Sequence, residues 1–156
     1  MRPLEILVCE RTSRWASALR MELASVDLLH RLRELRHLAE LDAELDERPA
    51  ALVAVEVRRG NFAELLAWLP AARRRHCRAR FVALVDHSLL DHQCEVGDAL
   101  VEAGVQASAT SPRRLETIVA IGKRHAATAE KTDESAPLVT QVWASLPWQA
   151  AGSQVG

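Results

Sequence analysis

Apolar residues fall into two rhythms that alternate along this chain. Leu4 to Glu10 (LEILVCE), Leu52 to Val57 (LVAVEV) and Phe81 to His87 (FVALVDH) are short, nearly unbroken apolar runs, each closing on or near an acid. Runs of this length, rich in β-branched residues and with hardly a polar break, predict strands covered on both faces, as in a parallel sheet. Between them the spacing becomes helical. Arg11 to Ala24 places Trp15, Ala18, Leu19 and Leu23 on one face, with Thr12 or Ser13 available as a cap. Asn61 is expected to cap a helix running to about Arg75 that buries Phe62, Leu65, Leu66 and Leu69; Pro70 should kink or shorten it. A helix from about Gln93 to Ala103 closes on Gly104, and Val105 to Ala109 reads as a short fifth strand. Ser111 and Pro112 then open a last helix with Leu115, Ile118, Val119 and Ile121 facing inward.

Leu28 to Arg48 carries conflicting signals. Leu28, Leu32, Leu35, Leu38, Leu41 and Leu45 step by three or four and suit one long helix. The alternation on either side instead requires a strand near Arg31 to His37, followed by a helix from about Glu40 to Glu47 that stops at Pro49. The split is adopted here. The pattern fades near Ala127, which divides the chain into a domain over 1–126, a polar linker over 127–137 containing KTDESAP, and a tail over 138–156 holding two of the four tryptophans.

Five strands alternating with five helices resemble the response-regulator receiver domain, and four stretches carry the likeness: ILVCE at Ile6 to Glu10, LVAVEV, FVALVDH, and AGVQASATSP at Ala103 to Pro112. The resemblance spans roughly residues 3–126 and implies an α/β, flavodoxin-like doubly wound fold: a five-stranded parallel sheet of order 2-1-3-4-5 with helices on both faces. It also implies a site at the strand ends. Receivers hold Mg²⁺ with an acid pair after the first strand and carry the phosphoacceptor Asp after the third. A Thr or Ser after the fourth strand and a Lys after the fifth recognise the phosphoryl group. On this chain those positions fall on Cys9 and Glu10, Glu56, Asp86 and Ser111, so none of the five is intact. Glu is one methylene longer than Asp, and a displacement of ~1 Å at a reacting atom can cost about 10²-fold in rate. Losing the Lys counter-charge removes a contact worth roughly 3 kcal/mol, and Asp86 would repel phosphate. The resemblance therefore implies a degenerate phosphorylation pocket, with Glu56 standing in for a permanently charged acceptor, and a homodimer pairing through Gly104 to Arg124.

Two alternatives remain open: an atypical phosphoacceptor using Glu56 or Asp86, and a metal protein or small enzyme built on the acidic edge, where converging carboxylates need a cation or an Arg to neutralise them. Arg11, Arg58 and Arg59 are near enough in sequence to do so, which makes a metal less necessary. Asp86-His87 and Asp91-His92-x-Cys94 contain zinc-ligand residue types, but the two-knuckle spacing of structural zinc sites is missing. No cofactor is expected: GxGxxG and GxxxxGK[ST] do not occur, and the ERTSR turn after the first strand has no glycine. Cys9 has nucleophile chemistry in principle, yet a Cys closing a buried strand is most often a small apolar core residue.

Charge and composition narrow the partners. Twenty Lys and Arg against twenty-one Asp and Glu leave a net charge of −1, so no global field draws the molecule to nucleic acid or a membrane. The densest basic run, Arg73, Arg74, Arg75, Arg78 and Arg80, is best matched to the negative end of the third helix, with an acidic partner or a nucleic-acid backbone as the alternative. It has no interleaved aromatic residue for base stacking. An odd count of three cysteines without CxxC, no apolar leader and no membrane-length segment lead to the expectation of a cytoplasmic protein. In the tail, Val142, Trp143 and Leu146 share a helical face with Val139, and Trp148 adds a second large anchor after Pro147. Tryptophan is enriched among interface hot spots, so this segment is expected to dock on a protein partner or fold back on its own domain.

Overall fold

Strand follows helix along the whole of the computed structural model, which describes residues 3–144, with side chains described through residue 131. The elements are β1 (Leu4–Cys9), α1 (Arg14–Ala24), β2 (His30–Leu35), α2 (Leu38–Glu47), β3 (Leu52–Val57), α3 (Phe62–Arg75), β4 (Arg80–Val85), a 3-10 turn (His87–His92), α4 (Gln93–Ala103), β5 (Ala107–Ala109) and α5 (Glu116–Ala144). All strand pairings are parallel, in the order β2-β1-β3-β4-β5. The expected fold class is the one observed.

Alternation within the strands builds two cores. Ile6, Val8, Leu52, Ala54, Val82 and Leu84 face one side, where they pack with Trp15, Leu19 and Leu23 of α1 and Ile118 and Val119 of α5. Leu7, Val53, Val55, Phe81, Ala83 and Val85 face the other, against Leu41 and Leu45 of α2, Leu65 and Leu69 of α3 and Leu100 of α4. Burying each large aliphatic side chain stabilises the fold by about 1.5–3 kcal/mol. Gly122 lets α5 lie close to the sheet, because a Cβ there would sit 3.0 Å from Leu4 Cδ2.

The leucine ladder of Leu28 to Arg48 is divided as the alternation required. β2 is an edge strand that alternates between half-buried and exposed residues from His30 to Glu34 and ends on the buried Leu35, and its register against β1, from Leu4 opposite His30 to Cys9 opposite Leu35, satisfies backbone groups that a helix would have satisfied internally. Helical spacing of leucines was outweighed by a free sheet edge. Other boundaries moved. α1 starts at Arg14 rather than Arg11, whereas α3 ends at Arg75 as expected and is not shortened by Pro70. β5 is only three residues long. Pro112 stands in a turn closed by Arg114 N–H donating to the Ser111 carbonyl, so the last helix begins at Glu116 instead of Ser111. That helix also continues to Ala144, across the segment expected as a linker. Ala126, Ala127, Ala129, Glu130 and Lys131 are strong helix formers and no glycine interrupts them, which carries the helix past Ala127.

Candidate functional site

The carboxyl edge of the sheet carries every residue aligned with the receiver phosphorylation pocket, because β1, β3, β4 and β5 all end there. Glu10 follows β1 and is 2% exposed. Its carboxylate turns to the start of α1, where Oε2 accepts from Trp15 N–H at 2.8 Å and Oε1 from Ala16 N–H at 2.6 Å. Those are free donors of a helix N-terminus, and a carboxylate also complements the positive end of the helix dipole. Glu10 is thus the cap expected of Thr12 or Ser13. Ser13 holds the N-cap position with φ 60° and makes no capping bond; its hydroxyl donates to Glu34 at 2.5 Å. Arg36 ties this loop down, donating to the Glu10 carbonyl at 2.9 Å and to Ser13 Oγ at 2.7 Å. Arg20 pairs with the same Glu34 at 2.6 Å. The Ser13 hydroxyl first, and Arg20 after it, hold the Glu34 carboxyl below its ordinary range.

Glu56, the residue at the acceptor position, lies in β3 opposite Leu84 of β4 and is 6% exposed. Its Oε2 accepts from Arg11 N–H at 3.0 Å and sits 3.2 Å from Arg58 Nε. Arg58 Nε is buried and makes no properly directed hydrogen bond, so its contact with Glu56 is a charge pairing rather than a shared proton. Asn61 sets the loop that carries it: the Asn61 side chain accepts from Arg58 N–H at 2.7 Å and donates to the Glu56 carbonyl at 2.8 Å. Asn61 was expected to cap α3, and makes no such bond because both ends of its amide are used on this loop.

Asp86 follows β4, and its backbone N–H donates to the Val57 carbonyl at 2.9 Å, continuing the strand pairing. Its carboxylate caps the 3-10 turn by accepting from Ser88 N–H at 3.1 Å and lies 2.9 Å from His87 Nδ1. Burial opposes that charge, but the Ser88 N–H and hydroxyl, with His87, outweigh it and hold the Asp86 carboxyl below its ordinary range. Ser111 spends its hydroxyl oxygen on Arg113 N–H at 3.2 Å, within its own turn. Cys9 is 6% exposed, and burial above all, followed by Glu40 and Glu56, pushes its thiol up to about 11. A thiol so protonated is a core residue, not a nucleophile.

The edge therefore gathers the predicted positions, and each acid is engaged separately: Glu10 by a helix end, Glu56 by Arg58 and the Arg11 amide, Asp86 by its own turn. Among the described residues no three His, Cys, Asp or Glu side chains converge in a way that would hold a metal ion, at this edge or at the Asp86 to Cys94 cluster. The basic run is likewise divided. Arg75 pairs with Asp46 at 2.7 Å and the Arg73 guanidinium lies over Gly104, whereas Arg78 and Arg80 belong to the opposite edge of the sheet. Arg36 was missed in the sequence, and Asn61 and Ser13 were assigned there as helix caps instead, because their roles depend on strand register and loop shape. Of the tail residues, Leu146 and Trp148 lie outside the described residues, and Val142 and Trp143 lie on the helical backbone of α5 beyond the described side chains. No helix among the described residues is long and apolar enough to cross a membrane.

No protein-family model matches the chain, and no curated protein does. Solved structures do. A CheY-like protein (tadZ) from Pseudomonas aeruginosa PAO1 superposes with a TM-score of 0.62 at 20% identity, covering 78% of this chain and 98% of that one. A pilus assembly-related protein from Burkholderia pseudomallei K96243 gives 0.56 at 17% identity, over 78% and 90%. A pilus assembly protein (cpaE) from Burkholderia thailandensis E264 gives 0.53 at 22%, over 80% and 98%. At these identities the likeness is one of fold: the chain has a CheY-like, receiver-type architecture.

Proposed function

We propose that this chain is a receiver-type interaction module that works without aspartyl phosphorylation. The observation that carries the reading is Glu56: at the acceptor position it is 6% exposed, and the oxygen facing Arg58 and the Arg11 amide is already occupied. A carboxylate attacks phosphorus through a free lone pair on an accessible oxygen, with a cation to neutralise the incoming charge. Here the cation is a fixed side chain paired with the carboxylate itself, and the lysine position is Ser111. With the acceptor position engaged in this way, any signal is carried by surfaces rather than by a phosphoryl switch. Incubating the full chain with acetyl phosphate and Mg²⁺, then measuring intact mass, is expected to leave the mass unchanged. Addition of one phosphoryl group would end this reading in favour of an atypical acceptor at Glu56 or Asp86.

The surfaces proposed for docking are Gly104 to Arg124, as a homodimer face, and the apolar tail residues Val142, Trp143, Leu146 and Trp148. Val101, on α4 beside that face, is 65% exposed, which favours a contact there. Two of the similar structures are described as pilus assembly proteins, which favours a partner within a multi-protein assembly of that kind in the bacterial cytoplasm. Light scattering of the full chain and of Val101→Glu tests the dimer: a monomer in both cases rejects it. Capture of purified assembly components by the full chain, compared with a chain ending at residue 137, tests the tail.

A further inference from the structure

The opposite edge of the sheet, where the strands begin, holds the larger unassigned chemistry. Arg80 opens β4, and Gln106 precedes β5 with its N–H donating to the Phe81 carbonyl at 2.8 Å. Ile121, Arg124, His125 and Thr128 recur at intervals of three and four on α5 and so share one face. Together these six line a groove of about 350 Å³. No carboxylate lines it, and none of the ion pairs among the described residues includes Arg80 or Arg124. Two guanidinium groups and one primary amide thus face a common space with donors to spare, the hydrogen-bonding chemistry of an anion site.

The groove does not end there. His125, nearly buried, donates through Nε2 to the Ala50 carbonyl at 2.7 Å and forms the wall shared with a second chamber of about 290 Å³. That chamber has a mixed surface, apolar where Pro3, Leu4, Pro49, Ala51, Ala126 and Ala129 line it and charged at Arg48 and Arg78. Its acids are Glu5, Glu47 and Glu130, of which Glu5 and Glu47 are paired with Arg48 at 3.5 and 3.0 Å. The groove, with two arginines and no acid, is the better place for a phosphate, while the apolar wall of the chamber suits an uncharged ring or ribose. Burial, and the charges of Arg80 and Arg78 after it, hold the imidazole of His125 below its ordinary range, in keeping with a positive potential at this wall.

We infer that these two adjacent spaces, which share His125, bind an organic phosphate of nucleotide size, with the phosphate on Arg80, Arg124 and Gln106 and the uncharged part beyond His125. The combined volume is that of a small-ligand site. The site lies at the opposite end of the strands from Glu56, so its ligand is bound independently of the phosphorylation edge.

The test is calorimetric titration of the full chain at fixed ionic strength with adenosine 5′-monophosphate, inorganic phosphate, sulfate and adenosine. The monophosphate is expected to bind most tightly, phosphate more weakly and adenosine weakest. Arg80→Gln and Arg124→Gln should each weaken the monophosphate by about tenfold. Gln106→Glu, an exposed site whose change leaves the fold intact, should abolish binding by repulsion, while Arg113→Gln leaves it unchanged. No binding by the monophosphate, binding unaltered in Gln106→Glu, or equal binding by sulfate, which would mean an adventitious ion only, overturns the assignment.

Discussion

Glu10 offers the sharpest trial of how this edge is built. Replacing it by alanine removes the acceptor of two buried N–H groups, those of Trp15 and Ala16. An unsatisfied buried donor costs about 1–3 kcal/mol, and losing a carboxylate from a helix N-terminus forfeits a further 0.3–1 kcal/mol or so of charge–dipole energy. Water entering the vacated space recovers part of this, so Glu10→Ala should destabilise the fold by roughly 3 kcal/mol. With a urea slope of about 2 kcal/mol per molar, the unfolding midpoint drops by roughly 1.5 M. Glu10→Asp restores the residue type that receivers use, yet it should also destabilise, by about 1–2 kcal/mol, because the shorter side chain reaches only one of the two amides. Urea unfolding followed by far-UV circular dichroism and tryptophan fluorescence, including Trp15 at 1% exposure, measures both variants. The sign is diagnostic. Were Glu10 instead one of a set of mutually repelling carboxylates awaiting a metal, removing it from the metal-free protein would stabilise the fold. A Glu10→Ala midpoint at or above that of the wild type would refute the capping role.

Three further outcomes are expected. A thiol reagent at pH 8 should label the exposed Cys77 and Cys94 quickly and Cys9 only in denaturant, since burial pushes the Cys9 thiol up to about 11; rapid labelling of all three would contradict its place in the core. Because folding lowers the Asp86 pKa from its ordinary 3.8, the stability it contributes is present above that value and lost as pH falls through the folded-state one. Acid titration of Asp86→Asn should therefore show a shallower loss at low pH, and an unchanged acid limb would count against its capping of the 3-10 turn. Two glycines of one helix should respond in opposite directions. Gly104 ends α4 at φ 100°, where a side chain costs about 1–2 kcal/mol of backbone strain, while the displaced Arg73 guanidinium is free to swing aside. Gly97, inside α4 with nothing within 4 Å of a Cβ, should gain about 0.5–1 kcal/mol as alanine. Thermal melts of Gly104→Ala and Gly97→Ala read the contrast.

The order of elements, the parallel sheet and the edge at which Glu10, Glu56 and Asp86 emerge were legible from the residue pattern alone. Those follow from local information: apolar runs of strand length, helical spacing between them, and the glycine at 104. Even the division of Leu28 to Arg48 was legible, though only by weighing its leucine ladder against the alternation of its neighbours. Tertiary structure alone decided what each acid does there. A side chain at a strand end chooses among partners brought by other segments, and those partners depend on register: Arg36 reaches Glu10 and Ser13 because β2 pairs with β1, and Arg58 meets Glu56 because Asn61 folds the loop back. The groove at the far edge was hidden for the same reason, since Arg80, Gln106 and Arg124 are distant along the chain and meet only when β4, β5 and α5 are packed. Hydrophobic periodicity is a property of neighbours in sequence; the pairing of charges is a property of neighbours in space.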